Sequence, residues 1–139
     1  MTNEERQLVT TELCSRFQYG LICEITKDGV TITDKLQIGG LTYFLDGTLE
    51  VKPYLRPISS LTEEEMDRLF EILNIDGNGN DGNEWIKIND IGILRLFTNT
   101  GRDFYEIAEA LDYLHSIHID YRGLIHKGLA LEAPEGMYN

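Results

Sequence analysis

Leu21-Ile22-Cys23-Glu24-Ile25-Thr26-Lys27-Asp28-Gly29-Val30 decides how this chain of 139 residues is built. Apolar and polar residues alternate as they do along a half-buried strand, and Asp28-Gly29 supplies the two positive-φ positions that a tight hairpin needs. Val30 and Ile32 carry the alternation into a second strand that can extend to Leu36 and Ile38. Gly39-Gly40 predicts another turn, Leu41-Thr42-Tyr43-Phe44-Leu45 a third strand and Asp46-Gly47 a further turn. Leu49 and Val51 begin a short fourth strand. Pro53 places that strand at an edge or ends it, because proline donates no ladder hydrogen bond. Strands this short at this spacing form a small antiparallel meander or a partly closed barrel of about four strands.

Outward from the sheet the period becomes helical. Over residues 3–17, Val9, Leu13 and Phe17 recur every four positions, Leu8 and Cys14 widen the stripe, and Thr2 and Glu5 have capping-box spacing. Ser59-Ser60-Leu61-Thr62-Glu63-Glu64-Glu65-Met66 opens a second, acidic helix: Thr62 caps it, Glu65 answers the cap, and Leu61 and Met66 have staple spacing. Its three glutamates favour the positive end of the helix dipole. Met66, Leu69, Phe70 and Leu73 form its apolar stripe, which ends near residue 74. A strand carrying Trp85 follows, and residues 89–97 suit either a buried strand or a short helix. Thr100-Gly101-Arg102-Asp103 leads into a helix with Phe104, Ile107, Ala108, Leu111 and Leu114 on one face. Asp120 caps a last short helix over residues 121–127, which Gly128 stops. The expected fold is α+β: an N-terminal helix, the small sheet, the acidic helix and a helical C-terminal part. The expected organisation is a single domain over residues 1–139, with 1–60 and 61–139 as its halves.

The formal charge is −12, and residues 61–90 carry −7 of it, from nine acids and two bases. Such a surface disfavours nucleic-acid backbones and anionic membranes as partners. The apolar runs are a few residues long, far short of the roughly 20 that a membrane span requires. Met1-Thr2-Asn3-Glu4-Glu5 is not the start of a signal peptide, so the expected location is the cytoplasm. Cys14 and Cys23 fit neither a disulfide framework nor a zinc site and read as two reduced, partly buried hydrophobes.

Few motifs carry chemistry. Asp76-Gly77-Asn78-Gly79-Asn80-Asp81-Gly82-Asn83 matches the first three ligand positions of a calcium loop, but Asp81 stands where glycine belongs and Lys87 where the bidentate glutamate belongs. It reads as a solvated connection. His115, His118 and Asp120 are weak candidates for a metal site, because histidines at a helix C-terminus also complement its dipole. No nucleophile elbow, phosphate loop or basic stripe is present. No catalytic residue, cofactor or metal is therefore expected. Two segments combine an aromatic residue with an arginine, as binding hot spots do: Val51-Lys52-Pro53-Tyr54-Leu55-Arg56-Pro57 and Asp120-Tyr121-Arg122-Gly123-Leu124-Ile125. Tyr54, Arg56, Tyr121 and Arg122 are the candidate partner-binding residues, provided that they are exposed. The competing role for each arginine is to stack on or bond to a neighbouring element and fix a junction.

Those two segments also carry a resemblance. With Leu13-Cys14-Ser15-Arg16-Phe17-Gln18-Tyr19-Gly20, with Ser59-Ser60-Leu61-Thr62-Glu63-Glu64-Glu65, and with Lys127-Gly128-Leu129-Ala130-Leu131-Glu132-Ala133-Pro134-Glu135-Gly136-Met137-Tyr138, the chain resembles a group of small proteins of gut anaerobic bacteria, their phages and mobile elements. Where that group carries a tryptophan-leucine pair in the penultimate helix, this chain has Tyr113-Leu114. The resemblance identifies without assigning chemistry and implies no catalytic or binding role. The leading expectation is a non-enzymatic module that binds another protein. One alternative is an acidic decoy, of phage or mobile-element origin, for a nucleic-acid-binding host protein. The other is a small metal-dependent hydrolase built around His115, His118 and Asp120.

Overall fold

The computed structural model describes residues 1–73, 84–88, 94–98 and 104–138, and its fold is α+β. The Asp76 to Asn83 loop, residues 89–93 and the expected Thr100 to Asp103 helix start lie outside the described residues. Two compact units result: Met1–Leu55 with Leu124–Asn139, and Arg56–Gly123.

In the first unit, helix α1 (Asn3–Arg16) starts with the expected capping box: Glu5 N donates to Thr2 Oγ1 at 3.1 Å and Thr2 N to Glu5 Oε2 at 2.8 Å. Its stripe buries Val9 and Leu13 completely. Strands β1 (Ile22–Lys27) and β2 (Val30–Lys35) form the expected hairpin, with Asp28 at φ 52° and Gly29 at φ 79°. These are the angles of a type I′ turn, which asparagine, aspartate and glycine adopt at least cost.

The next segment corrects the sequence reading. Residues Ile38–Leu45 form a helix, α2, with Gly39 and Gly40 inside it and no third strand over 41–45. A strand would send Leu41 and Phe44 to opposite faces, whereas three residues along a helix share one face. Both join the core here, Phe44 at 1% exposure. That burial offsets the helix cost of two glycines, about 1 kcal/mol each relative to alanine. Arg6 fixes the helix end: its Nη1 donates to the Phe44 carbonyl at 2.7 Å while its guanidinium lies 4.8 Å from the Phe44 ring centroid.

Strand β3 (Glu50–Leu55) runs through Pro53 without stopping. It pairs antiparallel with β1, Cys23 opposite Pro53, and β6 (Leu131–Glu132) joins its far side in parallel from Tyr54 onward. Pairing with β6 thus begins one residue after the proline, so no ladder bond is forfeited. The sheet order is β2-β1-β3-β6, a mixed and open sheet in place of an antiparallel meander. Leu21, Cys23, Val51, Leu55, Leu124, Leu129 and Ala130 complete the core with α1 and α2.

Cys23 is buried and its thiol is pushed up to about 12 by desolvation, while Cys14 is exposed, and both are free. Because the thiolate is the reactive form, the native protein should consume about one equivalent of an aromatic disulfide reagent rapidly. The second equivalent should appear only in denaturant; two fast equivalents would contradict this packing.

In the second unit, α3 (Glu63–Leu73) and α4 (Phe104–Ser116) pack through Leu69, Leu73, Ala110 and Leu114, with Ile58 and Ile119. The inward face of α4 is only in part the expected one: Leu114 is buried as expected, whereas Phe104, Ile107 and Ala108 are exposed and Ala110 is buried in their place. Strands β4 (Glu84–Ile88) and β5 (Leu94–Thr98) pair antiparallel, which makes a strand of residues 94–98. The expected helix over residues 121–127 does not form; the chain there runs in turns. Gly123 at φ 76° is the reason, since a left-handed residue cannot continue a right-handed helix.

Candidate functional site

Arg56 follows β3 and opens the second unit, and its surroundings are set by two helix ends. At the first, Thr62 caps α3: Glu65 N donates to Thr62 Oγ1 at 3.2 Å and Thr62 N returns to Glu65 Oε1 at 2.9 Å. The box holds the Glu65 carboxylate in one rotamer. Arg56 Nη2 then meets Oε1 at 2.7 Å and Nη1 meets Oε2 at 2.8 Å, a bidentate fork. Nε donates to Ser60 Oγ at 3.2 Å and Nη2 also to the Ser60 carbonyl at 2.8 Å. The fork is largely withdrawn from water, the two side chains being 21% and 18% exposed. The Arg56 guanidinium holds the Glu65 carboxyl down to about 2, and the carboxylate in turn raises the arginine.

At the second end, α4 closes with a non-glycine residue in the left-handed region. His118 has φ 60°; its N–H bonds the His115 carbonyl at 3.1 Å, and Ile119 N bonds the Leu114 carbonyl at 3.0 Å. This is the Schellman pattern, in which the left-handed position is usually glycine. The reversal lays residues 118–120 along Arg56, whose N–H donates to the His118 carbonyl at 2.8 Å and whose carbonyl accepts from Asp120 N at 2.9 Å. Asp120 is therefore buried beside this bridge and does not cap a helix. His115 Nε2 and the Tyr121 hydroxyl share a hydrogen bond of 2.8 Å, and the exposed Arg122 lies over the Tyr121 ring at 5.4 Å.

His115, His118 and Asp120 are all buried, and among the described residues no three His, Cys, Asp or Glu side chains are grouped as metal ligands. Arg56, His118 and Tyr121 act on their own unit's architecture. Tyr54, in the first unit, is half-buried, and its carbonyl accepts from the Tyr138 hydroxyl at 2.7 Å. Of the four partner-binding candidates, Arg122 is the one with an exposed side chain.

The larger exposed feature is one that the sequence reading passed over. All six residues of β2 are exposed, and among the described residues β2 pairs with β1 alone. Ile32 stands opposite Ile25 in the ladder and so shares its face, which is the core face of the sheet. Beyond the helices that face stays open: Val30 is 65% and Ile32 53% exposed, beside a trough of about 520 Å³ that Ile25, Gly40 and Leu49 also line. The sequence signal was present in Val30 and Ile32, but only the strand order shows that they lie on an edge. Among the described residues no helix is long and apolar enough to cross a membrane. The chain matches no protein-family model, no curated protein and no solved structure.

Proposed function

We propose that this chain is a non-enzymatic protein-binding module whose working surface is the free edge of the first unit's sheet. The carrying observation is β2: six exposed residues in regular register with β1, two of them large and apolar, next to an open trough. Proteins usually blunt such an edge with proline, a bulge or a cover, because its unpaired main-chain groups template another strand. An extended segment laid along β2 gains main-chain hydrogen bonds, and its alternate side chains enter the trough.

A second reading, the acidic decoy, draws on α3, where Glu63, Asp67 and Glu71 are exposed at every fourth position. Arg68 pairs with Glu71 at 3.0 Å and interrupts that stripe. Pull-downs from lysate with wild type, Ile32→Lys and a triple Glu63→Gln, Asp67→Asn, Glu71→Gln variant separate the readings. Partners kept in high salt and lost with Ile32→Lys are the expected result. Partners released by salt and lost only with the triple variant would transfer the function to α3.

A further inference from the structure

We propose that the strand received by β2 is β2 of a second copy of this chain, joined antiparallel across a two-fold axis through Ile32. The proposal rests on the protein-binding reading above and names its partner.

Three observations on the page select a second copy. The first is which main-chain groups are available. The Lys27–Val30 pair closes a two-residue turn, so its members exchange hydrogen bonds, and alternation along the ladder does the same for Ile25–Ile32 and Cys23–Asp34. The N–H and carbonyl groups of Thr31 and Thr33 consequently point away from β1 and face outward, while Lys35 N, on the same side, donates to Asp34 Oδ1 at 2.7 Å. The second is the sequence at the middle of the strand. Thr31-Ile32-Thr33 is palindromic, so a two-fold axis at Ile32 sets Thr31 of each copy opposite Thr33 of the other. About four main-chain hydrogen bonds form there, with Ile32 against its own mate on the trough face. Val30 meets Asp34 and Gly29 meets Lys35, which leaves no like charges directly opposite.

The third is charge. The chain carries −12, and most of its surface repels a copy of itself. The edge is an exception: Asp34 and Lys35 of β2 cancel, and the whole hairpin, with Glu24, Lys27 and Asp28, carries −1. Self-association at this edge therefore meets little repulsion, and it closes two edges at once. A single strand on each side is a small interface, so the dimer is a weak one, with a dissociation constant on the order of 10–100 μM.

Light scattering after gel filtration of the purified full chain, from about 5 to 500 μM, should show the mass rising from one chain towards two. Ile32→Lys, with its charge meeting its own mate, should raise the dissociation constant at least about tenfold. Thr33→Pro, which deletes an outward N–H, should do the same, with circular dichroism confirming that both variants are folded. Register is read by cross-linking in a Cys14→Ser background. Ile32→Cys brings the two thiols to directly opposite positions, about 4.5 Å apart between α-carbons, and should oxidise to a covalent dimer under oxidised glutathione. Thr33→Cys places them diagonally, about 7–8 Å apart, and should cross-link far more slowly. A chain monomeric up to 500 μM, or equal cross-linking at both positions, overturns the proposal. If that monomer still captures a host protein through Ile32, the protein-binding reading stands alone; if it captures none, both fall.

Discussion

Replacing Arg56 with methionine should destabilise the second unit by about 3 kcal/mol at neutral pH, read as a shift of its urea unfolding midpoint. Methionine keeps the aliphatic stem and removes the donors. The loss has two parts: the fork to Glu65 and the bonds that hold the Ser60 carbonyl and hydroxyl. Glu65 is left largely buried beside its cap with no cation, and this is the costly half. Arg56→Lys should recover less than half, because an ammonium cannot serve both carboxylate oxygens and the Ser60 carbonyl in one plane. The pH dependence follows from Glu65, whose carboxyl is held down to about 2 from an ordinary value near 4.5. A carboxyl lowered by folding stabilises the native state above its unfolded pKa, and this contribution fades as pH falls from about 4.5 towards 2. The amount is on the order of 2 kcal/mol after solvent screening. Wild type should weaken over that interval and the methionine variant much less. Identical acid profiles would show that the fork does not bear on stability.

Tyr138→Phe should cost the first unit about 2 kcal/mol. Strands β1 and β3 diverge where Ile22 faces Tyr54, and the Tyr138 hydroxyl sits in that gap. It accepts from Ile22 N at 3.0 Å, donates to the Tyr54 carbonyl at 2.7 Å and lies 3.3 Å from the Ile22 carbonyl. Phenylalanine fills the same volume and leaves those main-chain groups without their partner, which isolates the polar loss from packing. Burial pushes the Tyr138 phenol up to about 12. An acid raised by folding stabilises the native state below its unfolded pKa near 10, and the contribution drains away as pH rises towards 12. Wild type should therefore lose more stability than the phenylalanine variant between pH 10 and 12. A variant as stable as wild type at pH 7, with a parallel alkaline slope, would show the hydroxyl to be replaceable by water.

How much of this was legible in the sequence varies with the range of the interaction that decides each part. The two capping boxes and the Asp28-Gly29 turn are settled within four residues, and they form as read. The helix Ile38–Leu45 is decided by where Leu41 and Phe44 can be buried, which depends on α1 and β3. Its glycines point locally to a turn. Arg56 was singled out, but its partner Glu65 was assigned wholly to the cap, because a sequence shows one role for a glutamate at a time. The Schellman reversal at His118 had no signal, since histidine stands where glycine would have marked it. The exposed edge is a matter of strand order. Until β3 is known to pair with the far side of β1, either neighbour of β1 could be the outer strand.

The first unit is discontinuous, made of residues 1–55 and 124–139 with the second unit inserted between. A ribosome delivers these pieces in sequence, so the early helices and strands emerge long before Leu124, Leu129 and Ala130 are there to complete their core. The inserted unit, contiguous in sequence, can fold first while its host waits half-built with Leu21, Val51 and Leu55 uncovered. Chains truncated before residue 124 and released from the ribosome should carry a folded insert and a protease-sensitive beginning. The insert can then fold before the unit that begins the chain, whose core closes only once Leu124, Leu129 and Ala130 are present.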